Sequence, residues 1–108
     1  MKRIVICTYS IPNLNYVFKI FDKRSDNVVL IMNSKFEDIA NKIRARYPAM
    51  RVITRKDVHA KLVLAEPQTV WLSSANFGAS GWFESTIGIH SKVAYDFYME
   101  QLSQYLKG

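Results

Sequence analysis

The sequence predicts an α/β domain, a mixed β-sheet flanked by helices. Three observations carry that expectation. In the first half, apolar runs of strand length alternate with segments whose apolar residues recur every three or four positions. The second half brings two strand-like runs together around one proline turn, as in an antiparallel hairpin. The 108 residues, without repeat or linker, fit a single domain spanning 1–108, with a core that requires no disulfide.

Residues 2–9 (KRIVICTY) read as a strand apolar enough to be buried on both faces. Pro12 suits the first turn of a helix in which Leu14, Val17, Phe18 and Phe21 keep helical spacing. Residues 27–32 form a second buried strand. Ser34 is the expected N-cap of the next helix, with Glu37 completing a capping box. That helix carries Phe36, Ile39, Ala40, Ile43 and Tyr47 on one stripe and ends at Pro48. Residues 51–54 make a short third strand. Two more strands, 60–65 and 69–73, are joined by Glu66-Pro67-Gln68, where proline pre-sets the bend. A loop over 75–81 leads to a strand at 85–90. Residues 92–106 fit a closing helix with Val93, Phe97, Leu102 and Tyr105 turned inward, and Trp71 is assigned to the core.

Composition narrows the function. With 49% hydrophobic and 22% charged residues, the chain is not a disordered one. Its one cysteine, Cys7, has no internal partner and reads as a small buried hydrophobe, which fits a reducing, cytoplasmic setting. The apolar stretch after Lys2 and Arg3 stops at Thr8, too early for a signal peptide, and the longest aliphatic run, 28–32, is too short to span a bilayer. A soluble protein that does not engage a membrane is therefore expected. The net charge is +6, and 12 of the 15 basic residues lie at or before Lys56. Between Asp38 and Asp57 stand Lys42, Arg44, Arg46, Arg51, Arg55 and Lys56, with no acid among them. Such a field attracts polyanions, nucleic acid (DNA or RNA) first, with Arg55 and Lys56 the basic residues nearest the site described next.

His59 and Lys61 are two apart on an expected strand and so leave the same face. His59 precedes the Glu66-Pro67 turn by about as many residues as Ser74 follows it, so a hairpin returns Ser74 and Asn76 to their side. Lysine and carboxamide can hold two phosphate oxygens, and a histidine beside them can attack phosphorus or protonate a leaving oxygen. No cluster with metal-ligand spacing accompanies the set, so a metal site is not suggested. Trp82, after the glycine loop, is the better placed of the two tryptophans to touch substrate.

His59-x-Lys61, four residues, Glu66, six residues, then Ser73-Ser74-x-Asn76 resembles the HKD signature of the phospholipase D superfamily. The spacing agrees at every step, with Glu66 where the family has aspartate and Ser73 where it has glycine. The resemblance implies a phospholipase D-like half-unit acting as a metal-independent phosphodiesterase without a cofactor. Two motifs would build one site, one His59 forming a phosphohistidine and the other protonating the leaving group. Lys61, Asn76 and Ser74 would hold the phosphate, and Glu84 or Thr86 would orient the histidine. A chain with one motif would supply both histidines as a homodimer. Nucleic acid is the expected substrate, since a lipid enzyme would call for two motifs in one chain or an interfacial apolar surface. The alternative is a catalytically degenerate relative that binds nucleic acid or a protein partner as a regulator, favoured by the changed Ser73 and Thr86 positions.

Overall fold

The computed structural model describes residues 2–77 and 86–107. Its frame is a six-stranded mixed sheet. β1 (Ile4–Thr8), β2 (Val28–Asn33) and β3 (Arg51–Arg55) run parallel, connected through α1 (Leu14–Lys23) and α2 (Glu37–Arg46). β4 (Leu62–Ala65) pairs antiparallel with β1, and β5 (Thr69–Ser73) and β6 (Thr86–His90) continue antiparallel outward, giving the order β3-β2-β1-β4-β5-β6. α3 (Lys92–Leu106) closes the fold. The α/β expectation is met, with the parallel half and the hairpin half meeting at β1.

The apolar runs explain the centre of the sheet. Val5, Ile6 and Cys7 of β1 and Val28 through Met32 of β2 are buried on both faces, as strands covered by helices on each side must be. On one face, Val5, Cys7, Val29, Ile31, Leu64 and Val70 pack against Tyr95 and Leu102 of α3. On the other, Ile6, Leu30 and Met32 pack against Val17 and Phe21 of α1 and Ala40 and Ile43 of α2. Val63 of β4 also packs against this second cluster.

Several local expectations change. Helix α1 starts at Leu14, after Pro12, because Asn13 supplies the cap: the Tyr16 N–H donates to its Oδ1 at 3.0 Å. Ser34 does not cap α2. A 3-10 turn, Ser34–Phe36, comes first, with the Asn33 side chain accepting from the Lys35 N–H at 2.9 Å. Glu37 serves elsewhere: its carboxylate accepts from Thr54 Oγ1 at 2.6 Å and from the Arg44 guanidinium, stronger partners than a backbone amide. These hold the Glu37 carboxyl below its ordinary range, the Thr54 hydrogen bond first and Arg44 next. Val93 (82% exposed) and Phe97 (56%) of α3 face outward, since the buried stripe runs through Tyr95, Tyr98, Met99, Leu102 and Tyr105. Trp71 is not core either; it is 47% exposed on β5.

The basic run is partly neutralised from other elements. Arg46 pairs with Asp22 of α1 at 2.8 Å and lies over the Phe18 ring at 4.5 Å, while Arg44 pairs with Glu37. The hydrogen bond from Arg46, then that from Tyr47, keeps the Asp22 carboxyl low. Arg55 and Lys56 stay exposed, with the Arg55 guanidinium donating to the Thr54 carbonyl at 2.8 Å.

Candidate phosphate site

Strand directions decide where the chemistry collects. β1, β2, β3 and β5 end, and β4 and β6 begin, at the same end of the sheet: Cys7 pairs with Leu62, and Ser73 with Thr86. Thr8–Ser10, Asn33, Arg55 and Lys56, His59–Lys61 and Ser73–Asn76 therefore all lie at one end, where open α/β sheets characteristically bind ligands.

His59 and Lys61 are not in a regular strand. β4 starts at Leu62, and the segment before it follows a turn at Lys56 and Asp57. That turn is pinned by Asn33, whose Nδ2 donates to the carbonyls of Lys56 at 3.2 Å and Val58 at 2.8 Å. Ser73 N–H donates to the Lys61 carbonyl at 3.0 Å, carrying the ladder one residue past β4. His59 is exposed, with its ring 5.0 Å from that of Tyr9, and lines a cavity of about 340 Å³ beside α3 with Asp57 and Tyr105. Lys61 lines a second cavity, about 330 Å³, on the α1 side, with Thr8, Ser73, Asn76 and Thr86. Cys7 and Leu62 line both. This segment is not held to strand alternation, and the two residues line different hollows. Lys61 Nζ donates to the His59 carbonyl at 3.3 Å.

Asn76 is oriented by the end of β1. The Ser10 N–H donates to its Oδ1 at 3.2 Å. A backbone N–H can only donate, which fixes the oxygen of the carboxamide on that side and turns the Nδ2 group the other way, as a donor. The Thr8 hydroxyl, buried beneath, accepts from the Phe77 N–H at 2.9 Å and gives its one hydrogen to the Ser10 carbonyl at 2.9 Å. Its 3.4 Å approach to Asn76 Oδ1 is the weaker alternative. Ser74 is exposed beside this turn. The Ser73 hydroxyl accepts from the Ala75 N–H and meets Thr86 Oγ1, both at 3.0 Å. Thr86 is thus engaged with Ser73 on the α1 side, away from the hollow that His59 lines. Trp82 and Glu84 lie outside the described residues.

Glu66 sits away from this end. Its Oε1 accepts from the Arg3 N–H at 2.6 Å, clasping the start of β1, a structural use of the acid. The Cys7 thiol is inert despite lining both hollows, because burial pushes its pKa up to about 12. No role for Thr8 or Asp57 was legible in the sequence, and Trp71, expected in the core, instead lines the α1-side hollow. A hydroxyl closing an otherwise apolar strand was the only signal for Thr8. Nothing in the sequence pairs Asp57 with Tyr105, whose hydroxyl pKa is raised by burial first and then by that carboxylate. Among the described residues no group of three or more His, Cys, Asp or Glu side chains is placed to hold a metal ion.

Solved structures share this fold. NucT from Helicobacter pylori matches with a TM-score of 0.76 at 15% identity, over 97% of this chain and 79% of its own. Nuc from Salmonella typhimurium, a phospholipase D family member, matches at 0.66 and 16% identity, over 97% and 76%. The chain has a phospholipase D-like fold. TrmBL2, an archaeal chromatin protein described as showing a novel mode of DNA binding, matches at 0.60 and 9% identity, over 97% of this chain and 43% of its own. No protein-family model and no curated protein matches the sequence.

Proposed function

We propose that this phospholipase D-like chain is a metal-independent phosphodiesterase acting on nucleic acid, with a site completed by a second copy. The observation that carries the reading is the convergence of His59, Lys61, Ser74 and Asn76, in HKD spacing, at one end of this sheet. Lys61 and the Asn76 amide group hold phosphate oxygens and offset the charge that builds on them. The His59 imidazole attacks phosphorus as the bond to the leaving oxygen breaks, and the partner's His59 gives that oxygen a proton. Water then breaks the phosphorus–nitrogen bond, losing a proton to the partner's His59, so both histidines end as they began. The exposed Arg55 and Lys56 at the same sheet end, and the DNA binding in TrmBL2's description, favour a nucleic-acid substrate. Trp82 and Glu84 are proposed as a substrate contact and as the group that orients His59.

The deciding test is cleavage of single- and double-stranded DNA and RNA in excess EDTA, beside His59→Ala. Cleavage that survives EDTA and vanishes in the variant is the expected result. A second reading, a regulator that binds without turnover, is favoured by the engagement of Thr86 with Ser73 and of Asp57 with Tyr105. Binding by both proteins with cleavage by neither would establish it in place of the enzyme.

A further inference from the structure

The α1-side hollow holds a residue that phosphate chemistry leaves unused. Trp71 projects from β5 on the face that α1 and α2 cover farther along the sheet, since it pairs with Val63, which packs against that core. On its other side it pairs with Gly88 of β6. A Cβ at Gly88 would fall 2.6 Å from Trp71 Cζ3 and 2.9 Å from Cε3 and Cη2. The benzo ring therefore rests on the bare glycine backbone, a seat that no other residue type allows at position 88 without displacing it. An indole held this way would ordinarily be covered. Instead it is 47% exposed and lines the same hollow as Lys61 and Asn76.

We infer that Trp71 is a stacking platform for one unpaired nucleobase of the substrate, which makes single-stranded nucleic acid the preferred class. The inference rests on the phosphodiesterase reading and sharpens it. A tryptophan offers a wide π-face at little conformational cost, and its seat on Gly88 lowers that cost further. Lys61 in the same hollow supplies the cation for the adjoining phosphate, so base and phosphate are met side by side. The hollow, about 330 Å³, is of small-ligand size. A base inside a duplex has both faces covered by its neighbours and cannot reach the indole.

The test uses the full chain carrying His59→Ala, so that nothing is cut, with labelled oligo(dT) and a duplex of equal length as probes. The single strand is expected to bind more tightly. Trp71→Ala is expected to weaken that binding by about 5- to 150-fold, with duplex binding unchanged and Trp71→Phe retaining most of the affinity. Because Trp71→Ala can also disturb the β5–β6 pair, a second measurement is made with the indole in place. In a Trp82→Phe chain, saturating oligo(dT) is expected to quench the Trp71 emission. Equal losses for single strand and duplex, full rescue by Trp71→Leu, or unquenched emission would each overturn the stacking role and leave the phosphodiesterase reading standing. A Trp71→Ala chain that sediments at half the mass would overturn it too, by assigning this face to a second copy. Failure to bind either probe at low salt would sink both.

Discussion

Asn76 shows how much of the candidate site rests on single hydrogen bonds. Its Oδ1 accepts from the Ser10 N–H, and a carboxylate at the same place would keep that bond. Asn76→Asp should therefore fold normally, by circular dichroism and thermal melting. It loses the Nδ2 donor and sets a negative charge toward the phosphate, so kcat should fall by about 10²- to 10³-fold. At this scale the spacing foretold that His59, Lys61 and Asn76 lie at one end of the sheet, because hairpin geometry converts distance along the chain into proximity. Thr8 was not, since its partners are the Ser10 carbonyl and the Phe77 amide, 2 and 69 residues away. Trp71 was misread because apolar strand residues usually lie under helices, whereas this one is left half exposed at the edge of a hollow.

Elements answer to packing stripes and to what each terminus is tied to. Leu102 is buried in the α3-side core, and Leu102→Ala should cost about 2–5 kcal/mol in urea unfolding. Phe97→Ser, on the outer side of the same helix, should stay within about 0.5 kcal/mol. Helix α2 is fixed to β3 through Glu37 and Thr54. The Glu37 carboxyl is depressed in the folded state, so its contribution is complete above the ordinary carboxylate range and is lost as pH falls through the folded value. Melting temperature should thus drop more steeply below about pH 4 in the wild type than in Glu37→Gln. The existence of the strands was readable from apolar runs of strand length set between segments of helical periodicity. The entry to α2 was not, because a capping box and a side chain reaching across to a neighbouring strand look alike in sequence. The phase of α3 failed for a related reason: its aromatic and aliphatic residues supply two possible stripes, and only packing against the sheet chooses between them.

At the level of the whole molecule, the proposed two-histidine site makes a statement about mixtures. If each site draws one His59 from each of two copies, wild-type chains exchanged with an equal amount of His59→Ala should keep about a quarter of the activity of the same total of wild-type protein. Independent one-copy sites would keep about half, and assays after subunit exchange separate the two. The fold itself was legible because both halves have simple connections. The placement of His59 and Lys61 in adjoining hollows was hidden in the turn that Asn33 pins. The position of β1 between β2 and β4 has one more consequence, for the order of events during synthesis. The parallel unit up to Arg55 can form as the chain emerges from the ribosome, whereas the other side of β1 waits for residues 62–65, and Ser73 waits for Thr86. A nascent chain shorter than that carries its basic residues without a finished phosphate site, so competence for chemistry arrives late and in one step.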